Sequence, residues 1–191
     1  MLMKDRKIWL RRLFIRSLFL LTILLLFFNM NFLLRMIHPI HYRDRIDRQA
    51  QEFQMDPMLI AAVIRVESKY QSDVVSGKGA VGLMQIMPET GQWIAERLNL
   101  IGFEAEQLKN PEINLHMGTW YLSYLRDEFG GDTIKALAAY NAGRGNVQHW
   151  LTSSRWDGTL ENVEEIPFKE TRNYIERVLH FYNTYKRVYN G

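Results

Sequence analysis

Between Arg16 and Arg35 the chain carries 18 consecutive uncharged residues, SLFLLTILLLFFNMNFLL. No other feature limits the possible folds as strongly. As a helix the run extends about 27 Å at about 1.5 Å per residue, close to the bilayer core of about 30 Å. Arg16 and Arg35 can reach outward along their stems, which lets Met36 and Ile37 lengthen the span. Lys4, Arg6, Lys7, Arg11, Arg12 and Arg16 precede it, and an excess of basic residues marks the cytoplasmic side. The expectation is a single-pass signal anchor over residues 17–37, with a cytoplasmic basic segment, 1–16, before it. A juncture, 38–47, would follow, and then a domain, 48–191, on the far side of the membrane. A cleaved signal peptide needs small residues in an A-x-A-like pattern after the apolar run, and nothing between Phe28 and Asp44 supplies one. A buried core helix fails because an all-round apolar helix behind such a basic block has no soluble partner.

The charge divides at the same place. The net charge is +3, yet residues 1–48 hold ten Lys/Arg against three Asp/Glu, and residues 49–191 hold 14 against 18. The larger part is mildly acidic, which argues against binding a nucleic-acid phosphate backbone. There are no cysteines. That removes disulfide scaffolds, thiolate nucleophiles and Cys-based metal sites.

After Pro39 the pattern is helical almost throughout. Ile46, Ala50 and Phe53 share one face of a polar segment over 42–54. Asp56-Pro57 starts the next helix, with Asp as cap and Pro where its missing N–H costs nothing. That helix runs to about Ser68. Residues 71–82 read as a Ser/Gly-rich loop. Further helices are expected over 88–98, 111–129, 132–142 and on to Leu151, then a polar loop over 153–167 and a last helix over 169–189. No convincing strand alternation is visible. The fold class is all-α with at most a minimal β element, preceded by the transmembrane helix.

Glu67 carries the most chemical information. Ile60, Val63, Ile64 and Val66 form an apolar side, and Glu67 lies four residues after Val63 and seven after Ile60, on that same side. Desolvation there should raise its pKa, which suits a general acid at neutral pH. The bland reading is a helix-end carboxylate paired with a neighbour. Gly77-Lys78-Gly79-Ala80-Val81-Gly82 matches G-x-G-x-x-G, but a dinucleotide fingerprint requires a strand before it, and a helix stands there. The five histidines show no metal-ligand spacing. Tyr140-Asn141-Ala142-Gly143 closes a helix in the usual Asn-to-Gly manner.

Four segments occur in a recognisable order: Val66-Glu67-Ser68; Gly82-Leu83-Met84-Gln85-Ile86-Met87-Pro88; Ala139-Tyr140-Asn141-Ala142-Gly143; and Ile166-Pro167 with Glu170-Thr171-Arg172-Asn173-Tyr174. Together they resemble the lytic transglycosylase family with the lysozyme-like, Slt-type catalytic domain, over about residues 48–189. The resemblance implies cleavage of peptidoglycan between N-acetylmuramic acid and N-acetylglucosamine, leaving a 1,6-anhydromuramyl end. It implies Glu67 as catalytic acid/base. Ser68 resembles the residue that supports it, and Ser76, Met84 and Gln85 resemble groove residues. Tyr140 and Asn141 resemble the strip beside the acetamido group, and Tyr174 the tyrosine near the catalytic Glu. It implies no metal or cofactor and glycan strands as the partner, while the N-terminal apolar run makes the cytoplasmic membrane a second one. Ser72 and Arg144 stand where the family commonly has proline, a departure that bears on loop shape and subsite preference. A lysozyme-like muramidase, with Asp73 or Glu89 as second carboxylate, and a silent glycan-binding module are the alternatives.

Overall fold

The computed structural model describes residues 2–189; Met1, Asn190 and Gly191, at the ends of the segments read from sequence, lie outside the described residues. So do the side chains of Lys4 and Arg6 in the basic block. The chain forms two compact units, 1–39 with 188–191, and 40–187.

In the first unit the apolar run forms α1 (Leu2–Phe28) and α2 (Met30–Ile37), divided at Asn29. The Asn29 side-chain amide donates to the Leu25 carbonyl at 2.8 Å, beside the backbone N–H that already uses it. Such local side-chain bonding competes with regular helix. This corrects the expectation of one continuous membrane helix. Within α1 the uncharged stretch is Ser17–Phe28, about 18 Å long, because Arg11, Arg12 and Arg16 occupy the preceding turns and Asn29 ends it. Among the described residues no helix is long and apolar enough to cross a membrane. Every large apolar side chain from Leu18 to Phe27 is exposed.

The second unit is all-helical, as expected. Its helices are α3 (Arg43–Glu52), α4 (Pro57–Glu67), α5 (Pro88–Arg97), α6 (Pro111–Glu128), α7 (Thr133–Ala142), α8 (Arg144–Thr152) and, up to Arg187, α9 (Lys169–Tyr189). Short 3-10 segments form at Ala105–Lys109, between two expected helices, and at Val163–Glu165, inside the polar loop expected over 153–167. Start signals act as the sequence indicates. Asp56 accepts from Met58 N–H at 2.8 Å, Asn110 from Glu112 N–H at 2.9 Å, and Asp132 from Ile134 N–H at 2.9 Å. Each satisfies an otherwise orphaned amide of the first turn.

α4 is the buried axis. Met58 through Ile64 are all buried, and five of those seven side chains are wholly inaccessible. Glu67 is the last residue of this helix, where burial becomes partial. The loop after α4 folds into two antiparallel bridges, Val75 with Val81 and Val81 with Ile86. This is the minimal β element. Asn114 of α6 holds it in place. Its wholly buried side chain donates to the carbonyls of Val81 (2.9 Å) and Leu108 (2.8 Å) and accepts from Met84 N–H (2.7 Å). Gly82 is required beside it: φ is +81°, and a Cβ would collide with the Asn114 amide and the Leu108 carbonyl.

Candidate active site

Glu67 reaches the surface where α4 stops. Ser68 caps the end: its N–H donates to the Ile64 carbonyl at 3.0 Å, and so does its hydroxyl at 3.2 Å, while the same hydroxyl accepts from Tyr70 N–H. Ser68 is buried and fully engaged with backbone, so it fixes the direction in which Glu67 leaves the helix.

The Glu67 carboxyl opens on two cavities. One, of about 440 Å3, is bounded by Ser76, Lys78, Gln85, Tyr140 and Asn141. The other, of about 280 Å3, is bounded by Asn141 and by Glu170, Asn173, Tyr174 and Arg177 of α9. Positions 170, 173, 174 and 177 follow helical spacing and present one face. Asn141 and Glu170 border both cavities, so the two form one groove with Glu67 at its middle.

Burial pushes the Glu67 carboxyl from its ordinary 4.5 up to about 7. The Tyr174 hydroxyl and the Arg177 guanidinium pull it back down, and the Glu170 carboxylate adds a small rise. Tyr140 and Tyr174 flank it, both pushed well above the usual phenol range, chiefly by burial and next by the charge of Glu67. Both therefore stay neutral hydroxyls at any working pH. Tyr140 donates its proton to the Met84 carbonyl at 2.8 Å. The Tyr174 hydroxyl is buried without a hydrogen-bond partner of full geometry, and the charge it faces is that of Glu67.

The remaining sequence-derived residues divide into two groups. Gln85, at φ +49°, anchors its amide nitrogen on the carbonyls of Gly82 (2.8 Å) and Val74 (3.2 Å) and borders the groove. Ser76 borders it too, with its hydroxyl accepting from Ala80 N–H at 2.9 Å. The Asn141 carbonyl accepts from Thr171 at 2.7 Å, which leaves its two amide hydrogens for the groove. Met84, by contrast, is wholly buried. Its side chain packs where Gly118 has no Cβ, and only its carbonyl serves the site, through Tyr140.

Neither Asp73 nor Glu89 borders the two cavities at Glu67. The carboxylate that does is Glu170, bridged to Lys78 across the groove at 2.7 Å. Among the described residues, no three His, Asp or Glu side chains come together as a metal ion would need.

Residues 44–163 match the family model of the transglycosylase SLT domain. The chain belongs to that family. Over 156 residues it is 40% identical to the soluble lytic murein transglycosylase of Escherichia coli K12, a match covering 80% of this chain and 24% of that one. The membrane-bound lytic murein transglycosylase C of Actinobacillus pleuropneumoniae serotype 5b is 31% identical, with 72% of this chain and 43% of the relative covered. The crystal structure of the 70-kDa soluble lytic transglycosylase from Escherichia coli superposes with a TM-score of 0.75 at 37% identity, covering 81% of this chain and 25% of that one. The chain thus spans about a quarter of the length of its soluble SLT relatives. The SLT match runs from α3 into the 3-10 segment at Val163–Glu165, so it contains Glu67 and the 440 Å3 cavity's loop wall.

Proposed function

We propose that the chain is a lytic transglycosylase that cleaves peptidoglycan between N-acetylmuramic acid and N-acetylglucosamine and leaves a 1,6-anhydromuramyl end. The observation that carries this is the buried Glu67 carboxyl, held near 7 at the middle of a groove, in a chain of the SLT family. Protonated Glu67 donates to the glycosidic oxygen as the bond to the muramyl C1 breaks. The substrate's own acetamido group stabilises the cation that develops, in the manner of substrate-assisted glycosidases. The Glu67 carboxylate then takes the proton of the C6 hydroxyl, whose oxygen closes on C1. One carboxyl serves twice, and no water is consumed.

The neighbours have fitting tasks. Asn141 offers amide hydrogens to a carbonyl of the substrate. Tyr174 offers a hydroxyl to Glu67 in its anionic form. Gln85 and Ser76 border the groove where sugar hydroxyls would lie. Digestion of purified peptidoglycan by the full chain should release muropeptides one water lighter than muramidase products. Fully hydrated reducing ends would instead make the protein a hydrolase, with Glu170 as the carboxylate to test. Glu67→Gln should bind glycan without cleaving it, and wild-type cleavage by that variant would refute the assignment.

The first unit is proposed to anchor the enzyme in the cytoplasmic membrane, residues 1–16 inside and the catalytic unit on the wall side. The uncharged run over 17–34 and its exposed apolar side chains support this, as does the basic block before it. One relative is a membrane-bound enzyme. Protease added outside intact spheroplasts should remove the catalytic unit; full protection would refute this orientation.

A further inference from the structure

The turn that follows the acid has a strained backbone. Lys69 has φ +53° and Tyr70 φ +68°, so two successive residues that are not glycine occupy the left-handed region, where a Cβ is crowded. Such backbone persists only where its surroundings hold it. Tyr70 supplies the hold. It is 6% exposed, and its ring turns back along α4, so that its hydroxyl donates to the Ala61 carbonyl at 3.1 Å. Its N–H donates to the Ser68 hydroxyl at 3.1 Å. The Tyr70–Ala61 bond closes a stretch of chain that contains Glu67.

The same phenol reaches α9. The Tyr70 and Tyr185 hydroxyls share a hydrogen bond at 3.2 Å, and Tyr185 is wholly buried. Tyr174 lies three helical turns before Tyr185, on the same face of α9. At the start of α4, Tyr182 donates to Asp56 Oδ2 at 2.7 Å, while Asp56 Oδ1 caps the helix. Tyr182 thus meets the start of α4 and Tyr174 faces Glu67 at its end. The two helices therefore run antiparallel, and phenol hydroxyls join them at both ends.

The exit of α4 must be set against α9 because the groups at the site are divided between them. Glu67 is faced by Tyr174, Glu170 and Arg177 of α9 and by Tyr140 of α7. A slip of α9 by a fraction of an ångström would leave α4 intact and still carry the Tyr174 hydroxyl off the carboxyl. The strained residues begin two positions after Glu67, and the N–H of the second ends on Ser68, the acid's neighbour. We propose that Tyr70, through its bond to Tyr185, is a positioning residue for Glu67: it fixes the exit of α4 against α9 so that the acid meets the Tyr174 hydroxyl. This rests on the glycan-cleaving function proposed above.

The test is the pH dependence of cleavage of purified peptidoglycan by the full chain. Tyr70→Phe keeps the ring and removes the hydroxyl. Its kcat should fall about tenfold and its KM should hold. The falling limb of kcat/KM should move to higher pH, because Tyr174 then lowers Glu67 less. In a chain that already carries Tyr174→Phe, adding Tyr70→Phe should move the limb no further, since the positioning acts through that hydroxyl. Tyr182→Phe cuts the bond at Asp56, three turns from Glu67, and should lower the melting temperature while leaving the limb in place. If Tyr70→Phe does not melt cooperatively, Tyr185→Phe cuts the same bond from α9 and must give the same shift. An unmoved limb, a shift that adds to that of Tyr174→Phe, or an equal shift in Tyr182→Phe overturns the proposal, since Tyr70 would then serve stability alone. Absence of cleavage by the unaltered chain would overturn the glycan function itself, a result distinct from a misplaced Tyr70.

Discussion

The raised proton affinity of Glu67 has a consequence for stability that can be measured without substrate. In the folded chain the carboxyl titrates at about 7, against an ordinary 4.5 when solvated. Below about 4.5 both states hold the proton, and the site contributes its full stability. As the pH rises toward about 7 the unfolded chain releases that proton while the folded chain keeps it. The folded state then binds more protons, so stability falls with pH over this window. At about 1.4 kcal/mol per unit, the loss from below 4.5 to above 7 is about 3 kcal/mol. Glu67→Gln has similar volume and no charge, so it lacks this loss. Urea denaturation of both proteins from about pH 4 to about pH 8 should therefore show a gap that grows by about 3 kcal/mol in favour of the variant, at unchanged m-value. A gap that stays constant over that range would mean that Glu67 titrates as an ordinary surface carboxylate. The account of a poised acid would then be wrong, whatever the activity assay says.

Three further outcomes follow from single contacts. Tyr174→Phe removes the hydroxyl that lowers Glu67, so the falling limb of kcat/KM against pH should move to higher pH; a limb that moves down refutes the placement. Asn114→Ala strands the Met84 amide of the loop after α4 and the Leu108 carbonyl of the 3-10 segment, and removes one of two donors to the Val81 carbonyl; it should cost about 3 kcal/mol in denaturation. Lys78→Ala breaks an ion pair whose side chains are 77% and 68% exposed, so thermal melting should register less than about 1 kcal/mol; a larger loss would mean that the pair braces the groove.

Local rules made much of this readable from sequence. Asp56-Pro57 and Asp132 are start signals whose meaning depends on the next three residues, and each caps as expected. Glu67 could be placed because Ile60, Val63 and Ile64 define a face within two turns. Residues that depend on distant partners could not. Met84 reads as a groove residue, but it is core because Gly118, 34 positions later, leaves room for it. Asn114 looks like an ordinary helical Asn until three backbone groups from other segments converge on it. Glu170, Asn173, Tyr174 and Arg177 share one face of α9 by helical spacing alone. The 3-10 segment at Ala105–Lys109 is too short to produce a period. The division at Asn29 arises from one side chain competing for one carbonyl, which a hydropathy window averages away.

In the mechanism proposed above, the groove's several influences on Glu67 would let one carboxyl suffice. An acid of ordinary pKa 4.5 is protonated about once in 300 molecules at pH 7, whereas one at about 7 is protonated in about half. Burial thus raises the reactive acid form by about two orders of magnitude. The same shift makes the conjugate base a stronger proton acceptor by a similar factor, which the proposed second step would need to deprotonate the C6 hydroxyl. Desolvation without restraint would spoil this symmetry, because a carboxyl pushed far above 7 would not surrender its proton. Tyr174 and Arg177 act against burial and hold the value near neutrality. A site with two carboxylates divides the roles of acid and base between groups of different pKa. Here the opposing influences of burial, one hydroxyl and one guanidinium would let a single group give and then take the proton, and that reciprocity is what the proposed reaction without water requires.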